Sequence, residues 1–257
     1  MSPAYPRELG RAFEDDEVAR NYRYRRPYPP EVFEILEGLL VEPRTVLDAG
    51  SGTGALTIGL ARFAKRVDAI DPSAAMLREA RRIPGSDNDR IRWIQGSAEG
   101  APLDPPYGLI TSGSSIHWMD PDLVMPRFNE ALAPEGVLAI VNSESVYPKE
   151  EWRDEFLNLI RAFSPSPHHL EFGELVRSLE ASGHFLRTGG RTTAPAEYEQ
   201  PLDGYMAMLA STSTLSRTTL RARADDFERG ARAIFARHGM TSVRAELVGE
   251  VVWGRPQ

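Results

Sequence analysis

A glycine-rich turn between a buried strand and a helix constrains the fold of this 257-residue chain more than any other feature. Residues 45–49 are typical of a buried strand, residues 50–54 contain three glycines, and residues 55–65 have the apolar spacing of a helix. Glycine lets the backbone approach a ligand closely, and free amide groups at a helix start face that ligand. We therefore expect a strand–turn–helix unit that binds a ligand.

The following segments alternate in the same way. Predicted strands cover 66–70, 91–95, 107–112 and 137–141, while Ser73 caps one predicted helix and another covers 120–132. Strands that alternate with helices of this length form a parallel sheet covered on both faces. The sequence therefore predicts an α/β fold with a doubly wound sheet.

The remaining segments depart from this alternation. Residues 1–28 predict an ordered arm, and a helix follows from Pro29 to near Pro43. We expect residues 143–190 to form an inserted cover with helices at 152–163 and 171–181, all within a single domain over 1–257. Further predicted elements are a strand over 192–198, helices over 202–210 and 225–238, and a last strand over 245–253.

Charge and composition exclude several classes of protein. With 37 acidic and 30 basic side chains the formal net charge is −7, so no overall positive field favours nucleic acid as a partner. Cysteine is absent, which removes disulfides and thiolate metal sites. The chain contains no apolar run long enough for a membrane span, and its start does not resemble a secretion signal. We therefore expect a cytoplasmic protein that binds neither nucleic acid nor membrane.

Two acidic residues bear on the ligand at the glycine turn. Asp71 ends the next predicted strand, where a carboxylate can accept both hydroxyl protons of a ribose; the ligand-free alternatives are a tight turn and a helix N-cap. Gly50, Gly52 and Ala55 also fit the G-x-G-x-x-A turn of dinucleotide-binding enzymes. Asp48 favours a different nucleoside, because a carboxylate repels a pyrophosphate and attracts a ligand with ammonium and sulfonium groups.

These residues resemble the motifs of the class I methyltransferases that use S-adenosylmethionine. Residues 46–54 are similar to the first motif, residues 71–77 to the second, and residues 96–102 to the segment that holds adenine. The resemblance spans about residues 15–145 and is closest to small-molecule enzymes of the trans-aconitate type, which share a Tyr/Arg-rich arm and a His-Trp pair. It implies a Rossmann-like, mostly parallel sheet with an antiparallel last strand.

The resemblance also implies roles for individual residues. Gly50 and Gly52 would lie against the methionine part of the cofactor, and Asp71 would bind its ribose. Met76 would pack on adenine, with Ser97, where the family often has aspartate, and Ala98 at the adenine edge. The predicted set is completed by Asp48, Ser51 and Pro72 within the motifs and by Ser112 and Gly113, which would line the cleft beside the sulfonium.

The arm contributes a second group of candidates. Tyr22 is expected to close over the cofactor, and Arg26 or Arg25 to meet its carboxylate as a fork; the alternative is a solvated basic arm.

His117 is the candidate catalytic residue, because an imidazole can take a proton from a hydroxyl acceptor; the alternative is a wall residue. His168 and His169 lack the spacing of a metal site, so no metal is predicted.

The predicted function is methyl transfer from S-adenosylmethionine to a small-molecule acceptor, with O-methylation slightly favoured over N- or C-methylation. The acceptor side of the cleft is expected to be formed by residues 143–190 with Tyr198 and Tyr205, and His117 is expected to face it. Two alternatives stay open. One is an S-adenosylmethionine-binding protein without this activity, and the other is a nicotinamide-dependent oxidoreductase.

Overall fold

One mixed sheet organises the part of the chain that the structure, a computed structural model, describes, namely residues 7–164 and 171–257. Eight strands of this part pair in the order β3-β2-β1-β4-β5-β8-β6, and β7 also pairs with β8. The strands are β1 Thr45–Ala49, β2 Arg66–Asp71, β3 Ile91–Gln95, β4 Tyr107–Gly113, β5 Leu132–Val146, β6 Phe185–Thr192, β7 Ala196–Pro201 and β8 Ser242–Pro256. Strands β1 to β5 are parallel, and β8 is antiparallel to β5, β6 and β7. The predicted Rossmann-like sheet with an antiparallel last strand is confirmed.

Helices cover both faces of this sheet. They are α1 Asp16–Asn21, α2 Pro30–Leu39, α3 Thr57–Leu60, α4 Ala74–Ala80, α5 Pro121–Ala131, α6 Glu151–Phe163, α7 Phe172–Ala181, α8 Leu202–Ala210, α9 Arg217–Leu220 and α10 Ala224–Arg237. Leu36 of α2 and Leu60 of α3 belong to one core layer, while Phe128 of α5 and Val176 of α7 belong to the other. Because β1, β2 and β4 lie between these layers, their residues are buried almost throughout.

The helix predicted over 55–65 is much shorter in the structure. Only Thr57–Leu60 forms an α-helix, because the turn at the end of β1 extends through Leu56. Beyond Ala61 the amides of Arg62 and Phe63 bond three residues back, to Gly59 and Leu60, which tightens the chain into turns.

The last third of the sheet also differs from the prediction. Phe185–Thr192 forms an unpredicted strand, and the strand predicted over 192–198 lies instead at Ala196–Pro201. Both pair with β8 on the side away from β5. Within β6 only Phe185 is buried, so the alternation that identifies a half-buried strand is absent from its sequence.

The helices beside the sheet group differently from the cover predicted over residues 143–190. Helices α6, α8 and α10 share one apolar cluster that includes Phe156, Tyr205 and Phe235. By contrast, Val176 and Leu179 of α7 pack into the sheet core with Phe185. Of the segment 143–190 that we expected to act as one cover, α6 therefore joins this cluster, whereas α7 belongs to the sheet. None of the helices in the described residues has the length and apolar character needed to cross a bilayer.

Candidate functional site

The glycine turn lies at the carboxyl ends of β1 and β2. Gly50, Gly52 and Gly54 have left-handed backbone conformations, with φ of 72°, 55° and 87°. A Cβ atom on Gly50 would lie 2.5 Å from the Cβ of Ser115, in the loop after β4. The turn therefore packs closely against this loop without side chains on its glycines, and a side chain at position 50 would displace the loop.

The amide groups of this turn are engaged inside the protein. Gly50 and Ser51 both donate to the carbonyl oxygen of Ile70 at 2.9 Å, and Gly52 donates to Oδ2 of Asp71 at 2.8 Å. The expectation of free amides is therefore wrong for these residues, because β2 ends beside the turn and provides their acceptors. Since a bound pyrophosphate relies on such donors, this arrangement disfavours a dinucleotide.

Asp71 links the turn to helix α4. Its Oδ2 accepts from Gly52, and its Oδ1 accepts from the amide of Ser73 at 2.8 Å. Burial raises the pKa of the Asp71 carboxyl, and the two amide hydrogen bonds oppose that rise. A carboxylate has lone pairs for further donors, so this group can still accept hydroxyl protons. Ser73 in turn caps α4, as predicted, by accepting from the amide of Met76 at 3.1 Å.

Asp48 is buried behind the turn. Its carboxylate accepts from the hydroxyl of Thr57 at 2.5 Å and from that of Thr111 at 2.9 Å. Burial first, and the charge of Asp71 to a smaller extent, raise the pKa of Asp48 to about 6 against the opposing effect of the two hydroxyl groups. Asp48 therefore places a buried carboxylate behind the turn and holds Thr57, the first residue of α3, by a hydrogen bond.

Replacing Asp48 with asparagine is expected to flatten the pH dependence of stability. The folded pKa of about 6 exceeds the ordinary value of 3.8, so the folded state binds more protons and the free energy of unfolding falls as pH rises between these values. Above pH 6 the accumulated loss is about 3 kcal/mol. Urea unfolding between pH 4 and pH 8 should show Asp48→Asn to be the more stable protein at pH 7. The exposed Asp89→Asn is the control and should keep the pH profile of the wild type. If Asp48→Asn also keeps that profile, the pKa assigned to Asp48 is wrong.

The rim of the turn combines an unpartnered hydroxyl with an aromatic ring. Ser51 is 8% exposed, and its hydroxyl has no hydrogen-bond partner among the residues described. Tyr22 lies across the turn, with its ring 3.7 Å from the place of a Cβ on Gly52. The guanidinium of Arg25 stacks on Tyr22 at 4.9 Å from the ring centroid. A buried hydroxyl without a partner is costly, so the rim fits a ligand with polar groups.

The arm packs against the sheet domain. Val18, Ala19 and Met76 form a buried cluster that is extended by Phe13 and Tyr22. Tyr22 thus lies beside the turn, where we expected it, and Met76 lies beneath the arm.

Arg26 has a different environment from Arg25. Its guanidinium donates to the hydroxyl of Tyr147 and lies 5.2 Å and 5.6 Å from the ring centroids of Tyr147 and Tyr205. The two neighbouring arginines therefore contact different parts of the molecule.

Serine hydroxyls support the tip of β4. Ser112 is fully buried, and its hydroxyl lies 2.7 Å from that of Ser115, which donates to the carbonyl oxygen of Ala49 at 2.7 Å. The Ser112 hydroxyl is therefore buried against Ser115, whereas the sequence predicted that Ser112 lines the cleft. Gly113 is packed closely, since a Cβ there would lie 2.7 Å from the hydroxyl of Tyr28.

The remaining candidates lie beside these elements. Ser97 and Pro72 are exposed and Ala98 is buried, in the segments that follow β3 and β2. His117 and Trp118 share one 3-10 turn after β4, with ring centroids 4.7 Å apart, and Trp118 also meets Phe13 of the arm edge to face at 5.6 Å.

No group of His, Asp and Glu side chains suited to a metal ion occurs in the ranges 7–164 and 171–257. His168 and His169 lie outside the described residues.

Comparison with known proteins finds similarity to methyltransferases. Residues 46–136 match the family described as a methyltransferase domain. The trans-aconitate 2-methyltransferase of Variovorax paradoxus is 32% identical over 62% of this chain and 60% of its own length. The chain spans about half the length of the curated relatives it matches, 54% in the leading cases.

Solved structures show the same fold. A putative type II methyltransferase from Anaeromyxobacter dehalogenans aligns with a TM-score of 0.66 and 27% identity, over 91% of this chain and 99% of its own. A methyltransferase from Geobacter sulfurreducens, solved with S-adenosyl-L-homocysteine, has a TM-score of 0.50 and 20% identity over 99% of both chains.

Proposed function

We propose that this protein transfers a methyl group from S-adenosylmethionine to a hydroxyl group of a small molecule, because residues 46–136 match a methyltransferase domain and the sheet is Rossmann-like. The observation that carries the proposal is the bare glycine turn between two buried carboxylates, with the unpartnered Ser51 hydroxyl at its rim. The carboxylates favour a ligand with ammonium and sulfonium groups, while the engaged amides disfavour a pyrophosphate.

Several residues would hold the cofactor. Gly50 and Gly52 leave room for its methionine part, and the hydroxyl of Ser51 can bond to the amino or carboxylate group of that part. Asp71 would accept the ribose hydroxyls, and the adenine would lie near Met76, Ser97 and Ala98. When bound, S-adenosylmethionine supplies a methyl carbon that its positively charged sulfur activates for in-line displacement.

The acceptor would bind between the tips of β4 and β5 and the cluster of α6, α8 and α10. Strand β5 continues beyond β4 to Val146, and α6 follows it at Glu151. Positioning an acceptor beside the methyl carbon supplies much of the rate acceleration in such a displacement. His117, in the turn after β4, is the proposed base for the acceptor hydroxyl. The Variovorax relative is named for trans-aconitate, which supports a small acceptor.

Binding and transfer can be tested separately. Calorimetry should show that S-adenosylmethionine and S-adenosylhomocysteine bind and that NAD does not. A screen of small-molecule acceptors with labelled S-adenosylmethionine should then identify a methylated product. NAD binding would overturn the cofactor assignment, and cofactor binding without transfer to any acceptor would favour a non-catalytic role.

Replacing Tyr22 with alanine is expected to raise the Kd for S-adenosylmethionine about tenfold, because the ring that lies across Gly52 would be lost. Tyr22→Phe keeps the ring and should bind nearly as tightly as the wild type. Calorimetry on both variants checks this, with thermal unfolding to confirm that both variants are folded. Equal affinity of the alanine variant and the wild type would place the arm outside the cofactor site.

A further inference from the structure

We propose that Arg26 and Arg153, with the hydroxyl of Tyr147, bind a carboxylate or phosphate group of the acceptor. This inference rests on the proposed function and deepens it, because it assigns the acceptor a compact oxyanion in addition to the hydroxyl that is methylated. Only Arg26 belongs to the residues selected from the sequence, where it is expected to bind the cofactor.

Two guanidinium groups converge on one tyrosine. The guanidinium carbon of Arg153 lies 4.1 Å from the ring centroid of Tyr147, and that of Arg26 lies 5.2 Å from the same centroid. Arg26 also donates to the Tyr147 hydroxyl and lies 5.6 Å from the ring centroid of Tyr205. Burial raises the pKa of Tyr205 well above its ordinary value, and the charges of Arg26 and Arg153 act in the opposite direction. All four side chains therefore belong to one electrostatic unit.

This unit contains positive charge without a matching negative charge. Neither Arg26 nor Arg153 forms an ion pair with a carboxylate within residues 7–164 and 171–257, although both are half-buried and the protein has a net charge of −7. More exposed arginines have such partners: Arg217 meets Asp225 at 2.7 Å, and Arg232 meets Asp203 at 2.9 Å. Buried charge is normally paired, and these two guanidinium groups are partly removed from solvent. An oxyanion from a ligand would supply the missing partner.

The unit lies on the acceptor side of the proposed cleft. Arg26 is two residues before Tyr28, whose hydroxyl lies against Gly113 at the tip of β4. Tyr147 directly follows the end of β5, and Arg153 lies in the first turn of α6. Because β4 and β5 are parallel neighbours, their carboxyl ends lie at the same edge of the sheet.

The neighbouring Arg25 separates this unit from the cofactor turn. Arg25 stacks on Tyr22 and donates to the hydroxyl and carbonyl groups of Ser211 at 2.7 Å and 3.0 Å. Tyr22 is the ring beside Gly52. Arg25 thus lies between Tyr22 and the end of α8, whereas Arg26 faces the rings of Tyr147 and Tyr205.

The chemistry of this unit selects for a planar or tetrahedral oxyanion. Two guanidinium groups can each donate to a carboxylate or a phosphate, and such charge-assisted bonds are stronger than neutral ones. Binding the oxyanion would orient the rest of the acceptor toward β4. An acceptor amide or alcohol without the oxyanion would leave both charges unpaired and bind much more weakly.

The test measures oxyanion binding to the full chain with its cofactor turn already filled. Calorimetry in saturating S-adenosylhomocysteine uses succinate and inorganic phosphate as probes, with neutral succinamide as the matched compound. Wild type should bind succinate or phosphate and not succinamide, and the better probe identifies the oxyanion. Arg153→Gln and Arg26→Gln should each weaken that binding at least tenfold while changing the Kd for S-adenosylhomocysteine less than threefold. Arg161→Gln, an exposed position on the same helix, should change neither.

Three results would overturn the proposal. They are no oxyanion binding to the wild type, equal binding of succinamide, and unchanged oxyanion binding by both arginine variants. If Arg26→Gln instead abolishes binding of S-adenosylhomocysteine, Arg26 holds the cofactor carboxylate and the acceptor assignment is wrong. Failure of S-adenosylhomocysteine to bind the wild type at all would refute the proposed function itself, which keeps the two failures distinct.

Discussion

Asp71→Ala is expected to weaken binding of S-adenosylmethionine by about 10²–10⁴-fold. In the proposed site this carboxylate accepts both ribose hydroxyls, and each charge-assisted hydrogen bond contributes about 1.5–3 kcal/mol. At about 1.4 kcal/mol for each factor of ten, two bonds give that range. The variant also loses the acceptor that holds the amide of Gly52, so the turn itself becomes less ordered.

Calorimetric titration of Asp71→Ala measures this loss, and thermal unfolding establishes that the variant is folded. Asp89→Ala removes an exposed carboxylate elsewhere and serves as the control. Asp71→Asn keeps one acceptor oxygen and should lie between the alanine variant and the wild type. A folded Asp71→Ala protein with wild-type affinity would remove Asp71 from the cofactor site.

His117→Asn is expected to lower kcat by about 10²–10⁴-fold with little change in the Kd for S-adenosylmethionine. A positioned general base contributes an acceleration of that order when a hydroxyl must lose its proton during the transfer. The wild-type rate should also fall in acid, because a protonated imidazole cannot accept the proton.

The measurement is steady-state kinetics with the acceptor found in the labelled-methyl screen. His184→Asn is the matched control, because His184 is engaged at the far end of α7, with Ser182 and Asp122 at 2.7 Å and 2.8 Å. A small loss in kcat, or a loss that follows cofactor affinity, would identify His117 as a wall residue. It would also indicate that the reacting group needs no base, as for a carboxylate acceptor, and would leave the methyltransferase proposal in place.

The elements around the turn could be predicted because their signals are local. The strand predicted over 91–95 coincides with β3, and Ser73 caps α4 as its position before an apolar helix indicated. Buried parallel strands need continuous apolar runs, and those runs are visible in one sequence. The edge strand β6 has one buried side chain and leaves no such pattern.

The candidate site residues also divide into those with a local sequence signal and those without one. The glycines and acids of residues 48–71 are recognisable because their spacing is itself the motif. The partners of Asp48, Thr57 and Thr111, come from a helix and a neighbouring strand, and only the packed sheet shows that they surround the carboxylate. Tyr147 and Arg153 carry no motif, so nothing in their sequence surroundings connects them to Arg26.

By itself, the sequence determined the order of strands and helices from α2 to β5, the glycine turn and the acid at the tip of β2, because apolar periodicity and glycine conformation act over a few residues. Tertiary structure decided which acceptors hold the amides of the turn, which helices pack together beside the sheet, and that Arg25 and Arg26 face different partners. Those outcomes depend on contacts between residues distant in the chain, such as Arg25 with Ser211 and Arg26 with Tyr147, and adjacency in sequence carries no information about them.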